Sequence, residues 1–218
     1  MNMKSFSALL AALLLSGAAA QAALYDSGFA NGGVIPDGNP TGWSDTRTVS
    51  GLGPVLSGIT VTINLSGGFN GDLRCYLNYG SSSVTLLNRL GSTPENPFGS
   101  ATAGFTSFVF SDSGLLQSTI SASSGALTGT YQAATGSFDS SFHEVNPNGA
   151  WTISFFDMAG GNDPSTLTSW RLDITAVPEP VNVAMGIFAG VTGLTLVVRR
   201  RGSLKKLAAR VNTWLDAA

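Results

Sequence analysis

The side chains with chemistry to offer are carboxylates on turns. Asp157 and Asp163 bracket the loop Gly160-Gly161-Asn162, and Asp72 sits at a tight turn. Hard cations such as calcium take several oxygens from carboxylates, amides and backbone carbonyls on turns. Asp72, Asp157 and Asp163 are therefore the candidate calcium ligands. No EF-hand or repeat-type calcium motif accompanies them. Turn aspartates also accept hydrogen bonds from loop amides, and for Asp72 and Asp157 the sequence leaves both uses open.

Catalytic chemistry has less to stand on. The single histidine, His143, lies in a polar stretch beside Glu144. A Ser-His-Asp triad needs a buried carboxylate, an imidazole base and an activated serine in contact, and no Gly-x-Ser-x-Gly elbow is present. His143 is expected to be an exposed loop residue. Two carboxylates at a fixed separation could hydrolyse glycosides, but nothing in the sequence selects a pair. The expectation is a protein that is not an enzyme. Of the tryptophans, Trp151 and Trp170 alternate with polar residues and are expected in the core. Trp43 is read as a loop residue and as the one exposed platform on which a sugar could stack.

The framework that must hold these residues is β. Charged residues are only 11% of the 218, and glycine is abundant at 27. Between residues 23 and 180, four arginines face twelve carboxylates, a net charge of about −8. Nucleic acid binding depends on a basic surface, so nucleic acid is excluded as a partner, whereas cations are attracted. The lone cysteine, Cys75, forbids an internal disulfide and is read as a small core residue.

Ile59 to Leu65 alternates apolar and polar without a break, the period of a strand with one buried face. Leu73, Cys75, Leu77 and Tyr79 share one face of a second strand, and Val84 to Leu90 makes a third. Phe105 to Phe110 is a fourth. Residues 111–141 read as loop with one or two weak strands. Trp151, Ile153 and Phe155, then Trp170, Leu172 and Ile174, mark the last two strands. Short strands separated by turn signals argue for an all-β sandwich.

Both ends of the chain differ from this pattern. Residues 1–22 have the form of a secretory signal peptide: Lys4, an apolar core from Phe6 to Leu15, and Ala20-Gln21-Ala22 before the cut, with cleavage after Ala20 as an alternative. At the other end, Val177-Pro178-Glu179-Pro180 precedes an apolar run over 181–198 and then Arg199-Arg200-Arg201. The run is at the short end for a transmembrane helix. The arginines place its end on the cytoplasmic side. This tripartite stretch, 177–201, resembles the PEP-CTERM sorting signal of Gram-negative bacteria. That resemblance implies an exosortase as partner and association with exopolysaccharide. It also implies an inner-membrane intermediate followed by the cell surface or extracellular space. Residues 202–218 exceed that pattern. Leu204, Leu207, Val211 and Leu215 among Lys205, Lys206 and Arg210 suggest an amphipathic cytoplasmic tail.

The middle segment, 23–176, resembles the P domain of proprotein convertases. The carriers are Gly58-Ile59-x-Val61-x-Ile63-x-Leu65, Gly71-Asp72-Leu73, Asn148-Gly149-x-Trp151-x-Ile153-x-Phe155-x-Asp157, and Ser169-Trp170-x-Leu172-x-Ile174. The resemblance implies a jelly-roll-like β-sandwich of eight or nine strands and raises the prospect of calcium. The expected whole is an exported, non-catalytic, structural or adhesive sandwich followed by a membrane helix. The alternative is a calcium-dependent glycan- or protein-binding module tethered in the periplasm.

Overall fold

The computed structural model describes residues 23–121 and 125–177, with 186, 188, 190–193 and 195 beyond them. Ten strands follow in chain order: β1 Ala23–Asp26, β2 Gly33–Val34, β3 Trp43–Val49, β4 Val55–Ser66, β5 Leu73–Tyr79, β6 Ser82–Asn88, β7 Phe105–Leu115, β8 Leu127–Tyr131, β9 Gly149–Asp157 and β10 Thr166–Val177. A single-turn helix, α1 Phe138–Phe142, precedes β9. The first sheet runs β1-β10-β4-β7-β8, with β2 also on β10, and the second runs β3-β9-β5-β6. All pairings are antiparallel except β7 with β8. Ala22–Val177 forms one compact unit.

The alternating residues face inward as the sequence predicts. Ile59, Val61 and Ile63 of β4 stand opposite Ile174, Leu172 and Trp170 of β10. Leu73, Cys75 and Leu77 of β5 and Trp151, Ile153 and Phe155 of β9 close the core from the second sheet. Burial pushes the Cys75 thiol well above its usual range, so it stays a protonated core residue. Where the alternation breaks, a bulge explains it. The register of β10 on β4 shifts between Leu167 and Ser169 and again between Thr175 and Ala176. An extra residue exchanges the faces of a strand, so Leu167 and Trp170 both point inward, as do Leu56 and Ile59.

The described residues of 111–141 hold more regular structure than expected. β7 continues to Leu115, β8 lies parallel to it, and α1 is fixed at its N-terminus. Ser137 and Ser140 form a reciprocal capping box. The Asp112 carboxylate accepts from the amides of Phe138 (2.9 Å) and Asp139 (2.7 Å).

The most connected buried group is Arg47 on β3, 8% exposed. Its guanidinium donates to the carbonyls of Ser27 (3.1 Å), Gly28 (3.3 Å), Ala30 (2.9 Å) and Trp170 (3.0 Å). It lies 4.6 Å from the centre of the Trp170 ring. Nε is 3.4 Å from Asp45 Oδ2 but makes no hydrogen bond, so that contact is electrostatic. Asp45 also accepts from Trp170 Nε1 at 2.7 Å and from Asn31. An ion pair thus joins the N-terminal segment and both sheets.

The expected signal peptide 1–22, Pro178-Glu179-Pro180, Arg199-Arg200-Arg201 and the tail 202–218 lie outside the described residues. So does most of the expected membrane helix 181–198; residues 186, 188, 190–193 and 195 of it are helical. Among the described residues, no helix is long and apolar enough to cross a membrane.

Candidate functional site

Three connections bring carboxylates together at one end of the sandwich. The loop after β2 carries Asp37. The 3-10 turn between β4 and β5 ends in Asp72. The loop from β9 to β10 begins at Asp157 and carries Asp163. Gly71 permits the middle connection to pass close to its neighbour: a Cβ there would stand 2.3 Å from Phe98 O and 2.5 Å from Ser100 N. Asp37 joins two of the loops, its Oδ2 accepting from the amides of Gly161 (3.0 Å) and Asn162 (2.8 Å). Asp37, Asp72 and Asp163 border an open recess of about 370 Å³, with Phe69 and Phe98 on its rim.

Asp157 is placed differently. It is 3% exposed, and its Oδ1 accepts from Ala159 N at 3.1 Å. Burial is the main cause that raises its carboxyl above the usual range. The Ala159 amide opposes this, while Asp72 and Asp37 add repulsion. Asp72 is raised by burial too, against the pull of Arg89, with Asp37 and Asp163 contributing repulsion. Arg89 Nη2 stands 3.8 Å from Asp72 Oδ1. Two oxygens in the adjoining turns, Asn70 Oδ1 and Ser165 Oγ, are buried without a hydrogen-bond partner.

Asp72, Asp157 and Asp163 therefore share one end of the sandwich, Asp72 feeling the charge of Asp163 and Asp157 that of Asp72. Asp157 holds a loop amide, the second use that the sequence left open. Among the described residues, no group of three or more His, Cys, Asp or Glu side chains is placed to hold a metal ion. Asp37 was missed by sequence reasoning. Its membership depends on loops that lie more than 120 residues apart in the chain, and local pattern carries no signal of that.

His143 follows α1 and is 62% exposed. Its Nδ1 lies 3.0 Å from Asp139 Oδ1 and its Nε2 3.5 Å from Glu144 Oε1. Both ring nitrogens thus face carboxylates. His143 borders a second recess, of about 820 Å³, on the first sheet. There Arg171 bridges Asp26 and Asp173, each at 2.9 Å.

The reading of Trp43 as an exposed loop platform is overturned. Trp43 opens β3, is half-buried and packs on the core, its ring tilted against Phe155 at 6.4 Å. Gly33 covers the indole so closely that a Cβ there would stand 2.0 Å from Nε1. Three polar residues, Ser44, Asp45 and Thr46, follow Trp43 and disguise a strand as a loop. Trp151 and Trp170 are fully buried, as expected.

No protein-family model matches the chain, and no curated protein matches it. Solved structures of the serine protease of Aeromonas sobria are distantly similar. The complex with its chaperone matches at 14% identity and a TM-score of 0.41, over 72% of this chain and 28% of that one. The protease determined alone matches at 15% and 0.39, over 71% and 27%. This chain thus spans under a third of the chains it matches, and a likeness so distant transfers no activity.

Proposed function

We propose that the chain is an exported, exosortase-sorted protein of the cell surface or extracellular matrix of a Gram-negative bacterium. Its β-sandwich is of the jelly-roll type, resembles a P domain, and has a structural or adhesive role rather than a catalytic one. Exopolysaccharide is the candidate partner. The observation that carries this reading is where the sandwich stops. β10 ends at Val177, and Pro178-Glu179-Pro180, the apolar run 181–198 and Arg199-Arg200-Arg201 follow without a spacer. A sorting tail belongs directly behind a completed domain, where cutting it off leaves the core untouched. The acidic domain and the contacts of His143 with two carboxylates are compatible with a passive role.

A second reading is a calcium-dependent glycan- or protein-binding module tethered in the periplasm. The convergence of Asp37, Asp72 and Asp163 on one recess favours it. Calcium there would offset the repulsion that Asp37 and Asp163 add to the burial that raises Asp72.

The intact mass of the protein recovered from its host, fraction by fraction, tests the main reading. A species from about Ala23 to about Pro180 outside the inner membrane is expected. A full-length C-terminus confined to the inner membrane overturns it. Calcium-dependent thermal stability, abolished by chelation, would favour the second reading.

A further inference from the structure

The outward face of the second sheet differs from the rest of this acidic domain. Register places Arg74 opposite Phe156 and Asn88, Tyr76 opposite Ser154 and Thr85, and Asn78 opposite Thr152 and Ser83. Thr46 of β3 stands opposite Thr152, their hydroxyls 2.7 Å apart. The remaining outward positions of these four strands are Ser44, Thr48 and Ala150. No aspartate or glutamate is among them, although carboxylates outnumber arginines three to one over 23–180.

Arg74 is also distinct from the other arginines of the domain. Arg47, Arg89 and Arg171 each have a carboxylate within 4 Å. Among the described residues Arg74 has none. Its Nε donates to Asn88 Oδ1 at 3.1 Å. That bond orients the planar guanidinium and leaves its two terminal amino groups for an outside acceptor. Beside it, the rings of Tyr76 and Phe156 meet edge to face at 5.9 Å, both half-buried. An oriented guanidinium recognises a carboxylate with two parallel hydrogen bonds. Aromatic rings offer apolar area to the C–H faces of sugars, and the surrounding hydroxyls and amides match sugar hydroxyls.

We propose that this face docks a linear acidic polysaccharide. Arg74 holds a uronate carboxylate, and Tyr76 with Phe156 packs against an adjoining sugar ring. This deepens the surface function proposed above and rests on it. A single guanidinium does not suit nucleic acid, which is held by several cations tracking its phosphates. A second copy meeting this face with its own like face would bring Arg74 no carboxylate, because the face holds none.

The test is binding of sodium polygalacturonate to the full-length chain in detergent, by calorimetry, with amylose and double-stranded DNA in parallel. Saturable binding of polygalacturonate above both others is expected, weakening as salt is added. Arg74→Gln and Tyr76→Ala should each weaken it about tenfold or more, with unchanged circular dichroism and melting. Arg171→Gln, on the other sheet, should leave it intact. The proposal falls if polygalacturonate does not bind saturably, if DNA binds as well, or if Arg171→Gln costs as much as Arg74→Gln. It falls equally if amylose binds as well and Arg74→Gln changes nothing. Sorting is judged separately by the mature mass. A protein found outside the inner membrane that fails to bind overturns this face alone. Binding by a protein confined to the inner membrane overturns the location alone.

Discussion

Replacing Arg47 by methionine keeps an unbranched side chain of similar length and removes every donor. Four carbonyls, those of Ser27, Gly28, Ala30 and Trp170, then lose their partner, and Asp45 keeps its charge without a cation. The two shortest bonds, to Ala30 (2.9 Å) and Trp170 (3.0 Å), dominate. Hydrogen bonds to a charged group contribute about 1.5–3 kcal/mol each. Removing one member of a buried pair costs about 3–5 kcal/mol. Both routes give a loss of about 3–5 kcal/mol. For a domain of this size each kcal/mol moves the midpoint by about 2–4 °C, so melting should fall by roughly 6–20 °C. Guanidinium denaturation followed by tryptophan fluorescence reads the change directly, since Trp151 and Trp170 are fully buried. Arg47→Lys should fall between, because an ammonium keeps the charge but cannot span four carbonyls. Combining Arg47→Met with Asp45→Asn should cost less than the sum of the two. A loss below about 1 kcal/mol for Arg47→Met with an unchanged denaturant slope, or strict additivity with Asp45→Asn, would refute the reasoning.

The remaining predictions concern the acidic end and the loops flanking β3. Burial raises the Asp157 carboxyl above its unfolded value of 3.8. Its ionised form is therefore the one the fold disfavours: stability rises as pH falls through the raised value and levels off below 3.8. Asp157→Asn, whose carbonyl can still accept from Ala159, should be more stable than the parent at pH 7. That advantage should vanish in urea titrations near pH 3. An advantage that persists in acid would point to packing rather than charge. Gly42 has φ +60° and a Cβ there would stand 2.2 Å from Phe155 O, whereas Gly51, at φ +79°, has open space around it. Gly51→Ala should cost only the left-handed backbone, about 1–2 kcal/mol. Gly42→Ala should cost clearly more, and equal losses by denaturation would show that the chain around Phe155 yields.

β4, β5, β9 and β10 were legible because the inward positions of their central stretches are apolar at period two. β3 was not. Its inward positions carry Asp45 and Arg47, which are tolerable there only because Trp170 and the carbonyls of residues 27–30 receive them. That compensation comes from parts of the chain that a local window never sees. β1 and β2 are too short to carry a period. β8 and α1 take their support from β7, and α1 is a single turn whose cap, Asp112, lies 26 residues before it. At the acidic end, Asp72, Asp157 and Asp163 announced themselves as turn residues, while Asp37 is drawn in by a cross-loop bond. Tyr76 alternates with the apolar face of β5, but its pairing with Phe156 requires the register of β5 on β9. Trp43 was misjudged for the same reason as β3: the polar residues after it disguise a strand as a loop.

The position of β10 has a mechanical meaning. It is the strand that leads into the tail, and it lies inside its sheet, paired with β4 from Thr166 to Val177 on one side and with β1 over Asp173–Ala176 on the other. A pull applied at Val177 acts along the strand and perpendicular to its hydrogen bonds. The bonds on both edges are then loaded together, as in a lap joint, rather than opened singly like a zipper. If the domain is held by its C-terminal end, as proposed above, flow or drag meets the sandwich in its resistant direction. The same tension applied across the sheet at β8, a five-residue edge strand, would peel it first.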